Sequence, residues 1–426
     1  IISRSGEALN LLIEEMISPE VVPVKIANIL TEKPLKYIID FNLDNSKDIY
    51  SSLHPKDRCK DRCKEKDYYN QFGISEYITS ISKKIISANN DFYASAQQKI
   101  DNKTKPLGSL GRLENLAVQM CIIQNSLNPS ILRKSIFVFA GDHGVVEEGV
   151  SAYPAEVTGE MVDNFLNGGA AVNILAKCNN IDLTIIDAGV NKDFDVNPDL
   201  INKKISKGTR NFAVEKAMTR QEAIISIENG MNIFFEKYTK SPIDIIGLGE
   251  MGIGNTTSAS AIISAVTGVS VKDVTGRGTG IDDKGIERKI ETIEKALSFH
   301  NLESKNPLDI LEKIGGYEIG GMVGTAIAAA SKKTAIVLDG IISTAAGLLA
   351  YLINPLIKEY LISGHKSIEI GQMAALAFIG IEPALDLGMR LGEGTGAALT
   401  IHLVEVACSI MRDMASFEEA NVSKKI

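Results

Sequence analysis

The chain has 426 residues, of which 45% are hydrophobic and 23% charged, a soluble balance that can fill two or three domains with sizeable cores. Its net charge of -8 opposes binding to nucleic acid and to anionic membranes. No uninterrupted apolar run reaches the roughly 18 residues of a membrane span. Five scattered cysteines argue for a reducing compartment rather than a disulfide framework. The chain opens at Ile1 without a basic segment followed by an apolar one, so a cytoplasmic enzyme is expected.

Residues 1–74 differ in character from the rest. A helix is predicted over Glu7–Met16 and a short apolar element over Leu35–Phe41, followed by a charged tract from Asp44 to Asp67. Cys59 and Cys63 lie near His54, but the pairs of a zinc site are lacking, and dense mixed charge fits a solvated helix or linker better than a metal site. This segment reads as an N-terminal extension of unknown function, joined by the charged linker.

From Ile74 onward the pattern becomes that of a folded region. Residues 75–100 are helix-like, and Lys105–Glu114 forms a turn into an apolar helix that runs through Cys121. Ser135–Ala140 is a β-branched and aromatic run, as in a strand buried on both faces. Further strands are predicted at Asp182–Asp187, Asp244–Ile246 and Thr334–Asp339. Helices are predicted at Ala155–Lys177, Thr219–Lys237, Thr256–Val266 and Gly320–Ala330, and Pro383–Met389 reads as the end of another. This alternation predicts an α/β fold with a doubly wound, mostly parallel sheet, whose ligands bind beyond the carboxyl ends of the strands.

Several clusters carry potential chemistry. Asp142 and His143 end the first strand, either as site-shaping residues or as a turn cap and a packing histidine. Tyr153 and Met161 would suit the wall of a pocket for a flat aromatic ligand, or plain core. Residues 247–252 match GxGxxG and lead through Gly252, Ile253, Gly254 and Asn255 into a helix that starts near Thr256. Amides at a helix start attract anions, so either a phosphate site or a dinucleotide site fits, the latter implying an NAD(P)-dependent oxidoreductase. Asp273 does not clearly end a second strand, which leaves the dinucleotide fingerprint incomplete. Gly276, Arg277 and Gly278 form another loop rich in backbone donors, followed by a helix with Lys289. Ile314–Met322 and Ser363–Ser367 add further glycine loops, one with Glu318. Glu250 and Glu393 each stand among glycines, and Leu391 precedes the second. A carboxylate held so against apolar surroundings has its pKa raised, which suits a general base; the alternative for Glu393 is a cap on the helix that follows.

In this order the motifs are recognisable. Lys105–Glu114, Gly141–Val145, Gly249–Thr257, Thr275–Gly280 and Leu391–Gly396 make residues 74–420 resemble the nicotinate-nucleotide–dimethylbenzimidazole phosphoribosyltransferase family. The resemblance implies a sheet domain over about 130–350 and a smaller, mainly helical domain built from about 75–129 and 351–426. It also implies a homodimer, no cofactor and no metal. The substrates it implies are nicotinate mononucleotide and 5,6-dimethylbenzimidazole or a related base. They would give nicotinate and α-ribazole 5′-phosphate for cobalamin. By the same resemblance Glu393 is the general base and Glu250 a second carboxylate of the site. Gly252, Ile253, Gly254, Asn255, Thr256, Gly276, Arg277, Gly278 and Lys289 fall in the phosphate and ribose region. The base pocket falls around Asp142, His143, Tyr153, Met161 and Leu391.

Overall fold

The computed structural model describes residues 69, 72–88, 91–302 and 306–423. The elements expected at Glu7–Met16 and Leu35–Phe41, and the tract with His54, Cys59 and Cys63, lie outside these residues. The compact unit that carries the described residues runs from Asp67 to Ile426.

Among the described residues seven strands form one sheet: β1 (Lys134–Gly141), β2 (Asp182–Gly189), β3 (Leu200–Asn202), β4 (Ile245–Met251), β5 (Ala335–Leu338), β6 (Leu361–His365) and β7 (Pro383–Leu385). Their order is β3-β2-β1-β4-β5-β6-β7, and every neighbouring pair is parallel. The expected doubly wound sheet is therefore present, and it is wholly parallel. β1 lies inside it, and its run from Ile136 to Ala140 is buried, as a strand covered on both faces requires.

Alternation along β1 separates the two faces. Ile136 meets the loop ahead of the helix Thr395–Asp413, whereas Phe139, three residues on, lies against Gly321 of the helix Tyr317–Ser331. The helix Arg220–Lys240 packs tightly on Tyr317–Ser331, with Gly230 against the carbonyl of Gly321, where a Cβ would overlap backbone. Arg220–Lys240 starts on a capping box in which Thr219 and Glu222 satisfy each other's backbone amides.

Four expectations change. The helix predicted over Ala155–Lys177 is two, Val157–Leu166 and Ala171–Cys178, broken where the chain turns at Gly168 with φ +75°. Ile314–Met322 is no open loop: the helix already starts at Tyr317, so Gly320 and Gly321 are small residues in a helix contact. Pro383–Met389 does not end a helix, since Pro383–Leu385 is the edge strand β7, a place that tolerates proline. Likewise Ser363–His365 belongs to β6 rather than to a glycine loop.

Candidate active site

The carboxyl ends of β4, β5 and β6 open on a cleft of about 780 Å³. Tyr153, Val157, Met161, Leu175 and Leu391 give it an apolar lining. Four carboxylates line it as well: Glu250 within β4, Asp339 just after β5, Glu369 beyond β6, and Glu393 before the helix Thr395–Asp413.

Glu393 stands in a strained turn. Its φ is +62°, flanked by Gly392 at +85° and Gly394 at +88°, so three successive residues are left-handed. Glycine takes this region freely, but a residue with a Cβ pays on the order of 1–3 kcal/mol. The turn is fixed from below by Asp339, whose Oδ2 accepts the Gly394 N–H at 3.1 Å and whose Oδ1 accepts the Ala397 N–H at 2.9 Å. Asp339 is thus the carboxylate that caps this helix, which leaves Glu393 free of the capping role. One Glu393 oxygen, Oε2, is buried without a partner. Burial and then the charge of Asp339 push the Glu393 carboxyl up to about 7.

The same turn explains two glycines of β4. A Cβ at Gly247 would meet Ala397 at 2.9 Å, and one at Gly249 would meet the Glu393 carbonyl oxygen at 2.7 Å. Both glycines lie inside a strand on one face, where they admit the helix start and the Glu393 turn. They form no strand-to-helix phosphate loop, and the dinucleotide reading of residues 247–252 fails on this geometry. Glu250, on the opposite face, accepts a hydrogen bond from the Asn255 side chain. Burial, then Asp339, and more weakly Glu318 and Glu393 push its carboxyl up to about 8, against the Asn255 bond.

The helix Asn255–Thr267 starts at the cleft, and Gly252, Ile253, Asn255 and Thr256 line it. Gly254 does not: at φ +94° it turns against the side chains of His143 and Val146. Asp142 and His143 likewise fail to line the cleft. Asp142 accepts the Asn191 N–H at 2.7 Å, and His143 Nε2 lies 2.6 Å from Glu318 Oε1 in full burial. They build the shelf beneath the Gly252–Gly254 turn instead of a base pocket.

The loop at 276–280 holds an anion of its own. The Gly278 N–H donates to Glu369 Oε1 at 2.8 Å, and the other Glu369 oxygen packs on Gly276, where no Cβ would fit. Gly278 lines the cleft, whereas Gly276 and Arg277 do not; Arg277 is paired with Asp283 and donates to the Ile281 carbonyl. Lys289 is fully buried under this floor, donating to Thr256 Oγ1 at 2.8 Å and to the Gly276 carbonyl at 3.3 Å. Burial lowers its ammonium to about 8, with Glu369 opposing the shift. Its positive charge therefore acts on the cleft through Thr256 and Gly278 rather than by contact.

Asp339 and Glu369 line the cleft without having been singled out from sequence, and His365 does so from the Ser363–Ser367 cluster. Asp339 appeared there only as the end of an apolar strand, and a carboxylate closing such a run before a glycine was the available signal. His365 Nε2 accepts the Leu387 N–H at 2.8 Å, and burial lowers its pKa, so the ring is a neutral acceptor that ties β6 to the segment before Arg390.

A wholly parallel α/β sheet with raised carboxyls and helix starts gathered at its carboxyl edge has the features of an enzyme's active-site cleft. A family model described as phosphoribosyltransferase matches residues 85–422. A nicotinate-nucleotide–dimethylbenzimidazole phosphoribosyltransferase of Geotalea uraniireducens is 51% identical over 331 residues, 78% of this chain and 94% of that protein. One of the same name from Geobacter sulfurreducens is 46% identical over 347 residues, 82% of this chain and 98% of its own length. The crystal structure of CobT from Thermus thermophilus superposes with a TM-score of 0.76 at 38% identity, covering 79% of this chain and all of that one. The chain belongs to the nicotinate-nucleotide–dimethylbenzimidazole phosphoribosyltransferase family.

Proposed function

We infer that the protein transfers the phosphoribosyl group of nicotinate mononucleotide to 5,6-dimethylbenzimidazole. The products are nicotinate and α-ribazole 5′-phosphate, used in building the nucleotide loop of cobalamin. The observation that carries the residue roles is the Glu393 turn: a raised carboxyl with one unpartnered oxygen in a cleft that Tyr153, Met161 and Leu391 also line.

Nicotinate leaves C1′ as the electron pair of the glycosidic bond returns to its pyridinium ring, so departure requires no acid. A benzimidazole nitrogen attacks C1′ from the opposite face, turning a β-glycoside into an α one. The attacking ring becomes cationic until its other N–H gives up a proton. Glu393 is the acceptor, and a carboxyl near 7 is half ionised at neutral pH and still basic enough to hold the proton. Glu250 holds Asn255 at the start of the phosphate-facing helix, and Asp339 adds negative charge beside the cationic ring. Gly252, Ile253, Asn255, Thr256 and Gly278 face the phosphoribosyl group, with Lys289 beneath. The flat base lies between Tyr153, Met161 and Leu391, whose apolar surfaces suit any ring of similar size.

The working form is proposed to be a homodimer in the cytoplasm, which light scattering and fractionation would test. A smaller, mainly helical lobe is proposed from about 75–129 and the helical part of 351–426, in keeping with the packing of Arg112–Gln124 on Thr395–Asp413, while β6 and β7 of that second segment belong to the sheet. The direct test of the reaction is to incubate the protein with nicotinate mononucleotide and dimethylbenzimidazole and to follow both products by chromatography. Nicotinate and α-ribazole 5′-phosphate should appear in equal amounts, and their absence would overturn the reading.

A further inference from the structure

We propose that Asp339 is a positioning residue of the transfer reaction: it clamps the left-handed turn that presents Glu393 and sets a second carboxylate beside that base. The proposal deepens the phosphoribosyl-transfer reading and rests on it.

The geometry is specific. Asp339 is buried at the tip of β5, and both of its oxygens are used on one helix start, through the N–H groups of Gly394 and Ala397. Those amides bracket the turn immediately after Glu393, so the clamp and the base share a peptide unit. Gly396 packs over the Asp339 carboxylate, with a would-be Cβ at 2.9 Å from Oδ1, so nothing bulkier separates the helix from its clamp. A helix start favours an anion there, which keeps Asp339 charged more readily than its burial alone would allow. A like charge beside Glu393 disfavours its ionised form, so the carboxylate binds a proton more avidly. Asp339 therefore supplies two separable things, an acceptor for two amides and a charge.

The other groups around Glu393 are fixed. Glu250 on β4 lies against Gly392, with Glu318 and its partner His143 behind it, and His365 on β6 packs on Gly396. Arg390 donates to the Gly278 carbonyl at 3.1 Å, and among the described residues it forms no ion pair with Asp339. Val172 adds one backbone donor to Glu393.

Asp339→Asn and Asp339→Ser each keep an oxygen able to accept from a helix start while removing the charge. The readout is the pH dependence of kcat/KM for nicotinate mononucleotide with saturating dimethylbenzimidazole. In the native protein kcat/KM should rise with pH as Glu393 loses its proton. In both variants the acidic limb is expected to move to lower pH by about one unit, the usual scale of a single environmental shift. The plateau should also drop several-fold, because a weaker base is left. Asp339→Glu, which keeps the charge, should hold the limb at the native pH. A plateau that falls with the limb unmoved in both neutral variants would reduce Asp339 to a helix cap and overturn the proposal. If Asp339→Asn does not fold, as judged by its thermal transition, the Ser variant decides alone. Failure of the native protein to release nicotinate would instead overturn the underlying reaction, which keeps the two failures distinct.

Discussion

At the scale of single residues, the chemistry of the cleft is a problem of crowded carboxylates. Glu393 is pushed up to about 7, Glu250 to about 8 and Asp339 to about 6, each chiefly by burial. A carboxyl whose folded pKa lies above its unfolded value binds its proton more tightly in the folded protein. The resulting stabilisation is complete below the unfolded values of 3.8 and 4.5 and is lost as pH rises through about 6 to about 8. The unliganded protein should therefore melt at a lower temperature at alkaline pH, and Glu250→Gln should remove part of that loss. Calorimetry of the two proteins across this range checks it; equal pH dependence would mean that Glu250 is not protonated in the fold. Glu393→Gln has a different signature. It should cut turnover by at least about a hundredfold, the lower end of general-base catalysis, without lowering the melting temperature. Near-native turnover would deny Glu393 the role of base.

At the scale of elements, the glycines of β4 decide where the base stands. Gly249→Ala would drive a Cβ to 2.7 Å from the Glu393 carbonyl oxygen, a backbone atom that cannot swing aside. The expected cost is about 1–3 kcal/mol of stability, the usual range for overpacking, and turnover should fall with it as the turn is displaced. Urea unfolding and the rate of nicotinate release measure the two effects. Thr219→Ala is the contrast. Removing the cap of Arg220–Lys240 should cost about 0.5–2 kcal/mol while leaving the rate untouched, because that helix packs on Tyr317–Ser331 rather than on the cleft. Element boundaries also show what the sequence could hide. The GxGxxG run looks like a loop in one dimension because glycine usually breaks strands, yet β4 carries it straight through to Met251. The helix that needs those missing side chains lies far along the chain, beyond the reach of any local pattern.

At the scale of the whole molecule, the sheet gathers the cleft from segments spread between Tyr153 and Gly396. The family match begins only at residue 85, and relatives align over about four-fifths of the chain. A chain beginning at Asp67 is therefore expected to keep transfer activity, which a comparison of initial rates with the full chain would check; loss of activity in a folded protein would give residues 1–66 a part in the reaction. The sequence by itself determined the α/β class, because buried parallel strands must be apolar throughout and leave that mark locally. It also determined Glu393, Glu250 and the apolar wall at Tyr153 and Met161 as candidates, since carboxylates among glycines and flat apolar surfaces are properties of short stretches. The tertiary structure alone decided which candidates meet. It turned Asp142 and His143 under the floor, filled the 276–280 loop with Glu369, and set Asp339 against the Glu393 turn. Burial and charge act through space over a few ångströms, and the pairs that matter here are neighbours only after the sheet has formed.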